Sequence, residues 1–304
     1  MDVKTLKSGD IVAKELVLVA EASLLKDKRG QDYYNLRLNC EGAESIQAKV
    51  WSSNIGDPIQ CGDLLEVYGR VDDRFGLQID VQQYVHQDSK GVDLSLYCRT
   101  APIDVEAGFD RIFDWSDGRC PEEDLSALMG YLHENERFAL EFKRSPAAMV
   151  HHHNYQAGLV EHTLEVYELA EAMCERYGDR VDRHMLLAAA ALHDIGKIKS
   201  YELLAGISQK TEVGNLLDHV FISASMISNL WDTLSQKQEE EDKPAWDTRR
   251  KNLLIHEVLA HHGRSEWGAP VLPQTPEALL VFICDNTSAM MKNCFEAIDG
   301  RRPD

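Results

Sequence analysis

The sequence predicts a multidomain chain in which a small all-β barrel precedes an all-α helical bundle. Two observations carry that prediction. Residues 10–86 run in short stretches of alternating apolar and polar side chains, the period of a strand with one buried face. After Pro121 the apolar positions recur at three and four residues, the period of an amphipathic helix. A chain of 304 residues has room for both parts, because single cores seldom grow beyond roughly 250 residues.

Five stretches read as strands: IVAKELVLVAEASLLKD, DYYNLRLNC, SIQAKVWSS, DLLEVYGRVDD and FGLQIDVQQYVH. Val, Leu, Ile and Tyr dominate them, and turn chemistry separates them at 27–30, 41–42, 56–58 and 72–76. Five short strands in roughly 80 residues match a closed barrel of the OB type, assigned to residues 1–88. Residues 89–120 lose the pattern and read as a connector, yet one with too many Trp, Phe, Leu and Tyr for a disordered tether. From 121 to 304 the spacing predicts helices over 122–142, 155–177, 183–194, 213–236, 246–262 and 276–296. Pro276 and Glu277 make a good opening for the last, and Gly178 and Gly263 stand where two others should end. SQKQEEEDKP, at 235–244, reads as a solvated charged turn.

Charge narrows the function classes. With 51 Asp and Glu against 32 Lys and Arg, the formal charge is −19. A protein that grips nucleic acid by neutralising phosphates would be basic, so any such contact here must be local: stacking, a small basic patch or bound cations. No apolar run approaches the roughly 20 residues of a membrane span. The opening MDVKTLKSGD lacks the order of a signal peptide, which predicts a cytoplasmic chain with no membrane partner. Seven cysteines with no C-x-x-C pair fit reduced thiols better than a disulfide framework or a zinc knuckle.

VHHHNYQAGLVEHTLEV, at 150–166, crowds imidazoles beside an amphipathic helix. His162 shares a stripe with Val166, Leu169 and Met173 and so points inward. Taken alone it would be a core histidine bonded to a backbone carbonyl. LLAAAALHDIGKI shifts the balance: an apolar helix ends in His193 and Asp194, and Gly196 should let the chain leave the helix. An Asp at that buried end must be paired or ligate a metal. Lys197 could be the pair. His219, His261, His262 and Asp285 each fall on a core-facing stripe or end of a further helix. Independent core histidines would not recur in this way, whereas a bundle that builds a metal site from facing helices places its ligands like this. His256 lies off the stripe of His261, and His151 and His152 read as exposed.

The order His162, His193 with Asp194 in HDIGK, His219, His261 with His262, then Asp285 resembles the HD-domain metal-dependent phosphohydrolases. These are all-helical proteins named for the adjacent His-Asp pair, and the likeness covers roughly residues 145–290. With the barrel ahead of them, HHNYQAGLVEHT, LHDIGK, LAHHGRSEWGAPVLPQTPEA and CDN resemble the YhaM-type 3′-to-5′ exoribonucleases along almost the whole chain. There are departures. Ala157 stands where the family pattern implies Gly, Thr287 and Ser288 stand where it implies an apolar residue and Asp, and the acidic stretch at 238–242 is added.

The resemblance implies one metal held by His162, His193, Asp194 and Asp285, and another by Asp194 as bridge with His219 and His261, with His262 a further candidate. It favours manganese; nitrogen and carboxylate donors without thiolate suit Mn, Fe, Co or Zn. Two cations roughly 3.5–4 Å apart can clamp the attacking and leaving oxygens of a displacement at phosphorus. They would also supply positive potential in an acidic protein where the scissile phosphate must sit. Lys197 is then either a stabiliser of charge on the phosphoryl oxygens or a structural ion pair. Glu161 and Glu165 could orient ligand imidazoles. His153 and Tyr155 are expected to line the substrate cleft. On the barrel, Tyr34, Trp51, Arg70, Arg74 and Phe75 are the candidates for nucleic-acid contact, although Tyr33 and Tyr34 cannot face the same side of one strand.

The expected activity is a manganese-dependent 3′-to-5′ exoribonuclease acting on single-stranded RNA, with short DNA as a further substrate, releasing nucleoside 5′-monophosphates. By resemblance it would be a homo-oligomer. Its chief rival is a nucleotide or cyclic-nucleotide phosphohydrolase whose barrel docks a protein. Oxygen chemistry at a di-iron centre and a catalytically dead binding protein are the other readings.

Overall fold

The computed structural model describes residues 1–74, 76–149, 153–204 and 206–298, so Phe75, His151 and His152 lie outside the described residues. Five strands form at the positions their alternation predicts: β1 (Ile11–Lys26), β2 (Asp32–Asn39), β3 (Ser45–Trp51), β4 (Leu64–Asp72) and β5 (Gln78–Gln87). They close into a barrel in the order β1-β2-β3-β5-β4, with β3 and β5 parallel and the other pairs antiparallel. Closure depends on β1, which pairs with β4 through its first half and β2 through its second. Register shifts between Val12 and Glu15 and between Val19 and Glu21 bend it to serve both. Alternation then sorts the side chains: Tyr34, Leu36 and Leu38 enter the core with Val50, Val67 and Ile79, while Tyr33, Asn35 and Arg37 face outward.

The chain divides into two units, Met1–Thr100 with Leu203–Ile207, and Ala101–Glu202 with the chain from Ser208 onward. The boundary thus falls inside the stretch expected to be a connector. That stretch also contains α1 (Val105–Phe113), opened by Asp104, whose side chain accepts from the Ala107 amide. Phe109, Ile112 and Phe113 share one helical face and are buried in the core of the second unit. Phe113 meets Phe138 and Phe142 edge-on at 5.3 and 5.1 Å; such pairs add about 0.5–1.5 kcal/mol beyond their buried area. The apolar content of 89–120 marked this, and the short helix was the missing inference.

The remaining helices are α2 (Glu123–Glu134), α3 (Glu136–Arg144), α4 (Gly158–Tyr177), α5 (Arg183–Leu192), α6 (Lys197–Ser200), α7 (Glu212–Glu240), α8 (Thr248–Ala260) and α9 (Pro276–Ile298). The single helix expected over 122–142 is two, because Asn135 caps α3 by accepting from the Phe138 amide. The stretch expected as a charged turn at 235–244 continues α7 as far as Glu240. Between α6 and α7 a hairpin that the periodicity did not announce, β6 (Tyr201–Leu204) and β7 (Ile207–Lys210), takes the chain across. No two of the described cysteines are joined, and no described helix is long and apolar enough to cross a membrane.

Candidate metal centre

Helix α5 delivers the centre of the site. All of Met185 through Leu192 is buried, so the helix runs through the core and its C-terminal end is dry. His193 and Asp194 follow at that end, 0% and 1% exposed. Gly196 was expected to let the chain leave the helix, and α5 does end before it, at Leu192; its own backbone is right-handed (φ −65, ψ −17). Its requirement is steric: a Cβ there would stand 2.3 Å from the His219 carbonyl oxygen and 2.6 Å from the Ser223 nitrogen. The absent side chain lets α6 press against α7, and the Gly196 amide donates to Ser223 Oγ at 2.8 Å.

Helix α4 begins under a similar constraint. A Cβ at Gly158 would stand 2.0 Å from the His153 carbonyl oxygen. The preceding Ala157, where the family pattern implies Gly, is left-handed at φ 60. One turn later His162 is buried, with Nε2 3.2 Å from Asp194 Oδ2, 3.1 Å from Asp285 Oδ1 and 3.3 Å from His193 Nε2.

Asp194 faces two ways. Oδ2 lies 3.2 Å from His162, 3.1 Å from His193 and 2.5 Å from Lys197 Nζ. Oδ1 lies 3.4 Å from His219 Nε2 and 3.7 Å from His261 Nε2. Two groups of donors with the reach of a metal ion result, His162 with His193 and Asp285, and His219 with His261 and His262. The structure brings together every histidine and aspartate expected as a ligand. His256 stays apart and accepts from the Gln274 amide at 3.0 Å.

Backbone carbonyls set the tautomers. His193 Nδ1 lies 2.8 Å from the Ala190 oxygen and His261 Nδ1 2.6 Å from the Val258 oxygen. A carbonyl only accepts, so each Nδ1 carries the proton and each Nε2 presents a lone pair to the centre. His162 Nδ1 is held by Ser288 Oγ at 3.0 Å, and Ser288 donates to Glu165 at 2.6 Å. Glu165, expected to orient a ligand imidazole, thus reaches the His162 ring through Ser288. Glu161 instead takes Tyr155 Oη and Lys292 Nζ.

Sequence reasoning missed Asp218. It interrupts α7 with φ 60 and ψ 156, and its carboxylate contacts His219 Nδ1 while Lys210 holds the other oxygen at 2.9 Å. A left-handed aspartate inside a helical run is sparsely populated backbone next to a buried polar group. The only signal in the sequence is the adjacency of Asp218 and His219.

The electrostatics of the cluster follow from opposed charges in a dry interior. Burial opposes protonation of His162, and the carboxylates of Asp194 and Asp285 outweigh it, raising its pKa to about 9. Burial would raise Asp194, but Lys197 and His193 beside it hold it well below the usual carboxylate range. Burial alone pushes His261 well down, with His262 adding to it, so His261 is neutral, the form that binds metal. Among the described residues the buried His261 Nε2 and His262 Nδ1 have no hydrogen-bond partner. Buried imidazole nitrogens without a hydrogen-bond partner, His261 Nε2 3.7 Å from a buried carboxylate oxygen, are a donor set that fits a divalent metal.

Other expected contacts move. His153 and Tyr155 are 0% and 1% exposed, so instead of lining a cleft they pack inside the bundle, the His153 ring 5.4 Å from that of His162. Tyr34 is 7% exposed and its hydroxyl accepts from the Ile59 amide, so it is barrel core, because the pleat turns Tyr33 outward in its place. Tyr33 stacks on the exposed Trp51 at 5.1 Å, with Lys49 Nζ 5.8 Å from the Trp51 ring. Arg74 is tied to Asp72, and Arg70 donates to the Gly9 carbonyl at 3.2 Å.

Residues 159–290 match the family described as HD domain. The chain is 28% identical over 279 residues to a protein named 3'-5' exoribonuclease YhaM from Bacillus subtilis (strain 168), covering 90% of this chain and 83% of that relative. It is 29% identical over 300 residues to a protein of the same name from Listeria welshimeri serovar 6b, covering 95% and 89%. The buried His and Asp cluster therefore lies within the residues that match the HD domain family, in a chain similar along nearly its whole length to exoribonucleases named YhaM.

Proposed function

We propose that the chain is a 3′-to-5′ exoribonuclease that hydrolyses single-stranded RNA, and short single-stranded DNA, to nucleoside 5′-monophosphates in the cytoplasm. The observation that carries the reading is the division of Asp194, one oxygen toward His162 and His193 and the other toward His219 and His261. His162, His193, Asp194 and Asp285 would hold one divalent ion; Asp194, His219, His261 and His262 would hold a second. Manganese is the ion the family favours. Such a pair polarises the phosphoryl oxygens and lowers the pKa of the attacking water.

The chain's own residues supply the rest. Asp194 fixes the spacing of the two ligand sets. Ser288 and Glu165 hold the His162 ring, and Asp218 holds His219. Lys197, which lies 2.5 Å from Asp194 Oδ2, would offer its ammonium to a phosphoryl oxygen as negative charge develops there. The direction of attack rests on the names of the relatives.

The barrel, read as an OB-fold, would bind the strand by stacking, with the outward Tyr33 and Trp51 pair as platform and Lys49 beside it. Stacking suits a chain of charge −19, in which long-range attraction for a polyanion is missing. A homo-oligomer is the assembly that the resemblance implies.

The test is incubation of manganese-loaded protein with a 5′-labelled single strand, beside mononucleotides as competing substrates. The reading expects a ladder shortened from the 3′ end and mononucleotide products. An intact strand, in protein shown to hold metal, would overturn it.

A further inference from the structure

Away from the HD cluster, Cys120, Glu122 and His184 converge on one point in the second unit. The Sγ of Cys120, a carboxylate oxygen of Glu122 and a ring nitrogen of His184 all lie within 4.8 Å of one another. His184 Nδ1 is 2.8 Å from Glu122 Oε2, and Cys120 Sγ is 3.2 Å from the same oxygen. We propose that these three side chains form a separate metal site for a single borderline-soft divalent ion of the zinc type.

Three donor chemistries meet here, a thiol, a carboxylate and an imidazole, and they come from two segments distant in sequence. Cys120 and Glu122 precede α2; His184 is in the first turn of α5. Zinc takes thiolate, carboxylate and imidazole donors in a tetrahedron, and these three leave its fourth position to water. The fourth position has somewhere to go: Cys120 is buried at 6% exposure, while the His184 and Glu122 side chains are 20% and 30% exposed. The neighbouring cation does not fill the site, because Arg250 is engaged by Asp124 at 2.8 Å and lies 3.9 Å from Asp182.

The site differs in kind from the HD cluster, whose donors are nitrogen and oxygen alone. A thiolate selects softer ions, so the two sites should sort metals, manganese to the histidines and aspartates and zinc to the thiolate. An ion at Cys120 would tie the segment before α2 to the start of α5, the helix whose far end carries His193 and Asp194. Its role is to hold that helix in place, and it touches no reacting group.

Cobalt is the probe, because a thiolate ligand gives Co²⁺ a near-ultraviolet charge-transfer band that nitrogen and oxygen ligands do not. The full-length chain loaded with Co²⁺ is expected to show that band at one equivalent. Cys120→Ser should abolish it, and His184→Ala, which keeps every thiol, should remove most of its intensity. Manganese-supported hydrolysis by both variants should stay within twofold of the parent. A cobalt-loaded chain with no thiolate band, or a band at full strength in Cys120→Ser or in His184→Ala, would overturn the proposal. Should Cys120→Ser fail to fold, the His184→Ala spectrum decides alone.

Discussion

Lys197 Nζ lies 2.5 Å from Asp194 Oδ2, the oxygen that also faces His162 and His193, and both side chains are buried. The ammonium thus stands where a cation would be welcome, and one residue serves two states. It neutralises a buried carboxylate here and, on the proposed function, would be free for substrate once metal bound. Lys197→Met should therefore destabilise the metal-free protein by about 3–5 kcal/mol, the penalty for leaving a buried charge unpaired. It should lower kcat by about 10²–10³ with metal content unchanged, as removal of one charge-stabilising donor does. Denaturation with and without metal, beside single-turnover hydrolysis, separates the two effects. A variant that loses stability but keeps kcat would leave Lys197 as a structural ion pair only.

Ser288 passes the hold of Glu165 to His162 through two hydrogen bonds of 2.6 and 3.0 Å. Removing the hydroxyl takes that hold from the ring proposed to carry one ligand nitrogen. Ser288→Ala should cost about 10–100-fold in metal affinity or activity, and Glu165→Gln should fall in the same range. Metal titration of both variants checks this; unchanged affinity in both would mean the ring is fixed by packing.

Ala157 holds a left-handed backbone at φ 60, which an L side chain resists by roughly 1–2 kcal/mol. Glycine removes that strain and returns part of the gain as unfolded-state entropy. Ala157→Gly should stabilise the protein by about 0.5–1 kcal/mol, read from urea unfolding. A loss of stability would contradict the assigned backbone.

Glu257 on α8 is buried, and burial, then Glu277 and Asp182, push its carboxyl well above the usual range. Because the folded pKa is raised, the folded state holds this proton more tightly than the unfolded chain. The associated stability is complete below the unfolded pKa and is lost as pH rises through the folded value. Melting curves across that range should show the parent falling relative to Glu257→Gln as pH rises. Parallel curves would place Glu257 in contact with water or a cation.

Tyr33 and Tyr34 should behave as opposites. Tyr33→Ala should weaken binding of a single strand by about 1–3 kcal/mol with little effect on folding. Tyr34→Ala should destabilise the barrel by about 3–5 kcal/mol, as removal of a buried aromatic does. Fluorescence anisotropy with labelled RNA and thermal melts distinguish them.

The strands were legible because their alternation survives any error of a residue or two, and the bundle because its apolar spacing is sustained over whole turns. The ligands could be found because buried His and Asp recur on core stripes, which physics alone makes expensive. What escaped was set by contacts between segments far apart. Gly196 is required by the approach of α7, Asp218 by the ring it must hold, and Ser288 by Glu165 across two helices. Tyr33 was misjudged against Tyr34 because the pleat fixes only that they differ, and the barrel decides which one faces in. No pattern within a single helix or strand contains those facts.

On the proposed function, Asp194 would hold two ions together. Manganese stoichiometry, measured on the Cys120→Ser chain so that the thiolate site adds nothing, tests it directly. Two ions per chain are expected, and loss of both on the further change Asp194→Ala. A single bound ion, or two that survive the loss of Asp194, would contradict it.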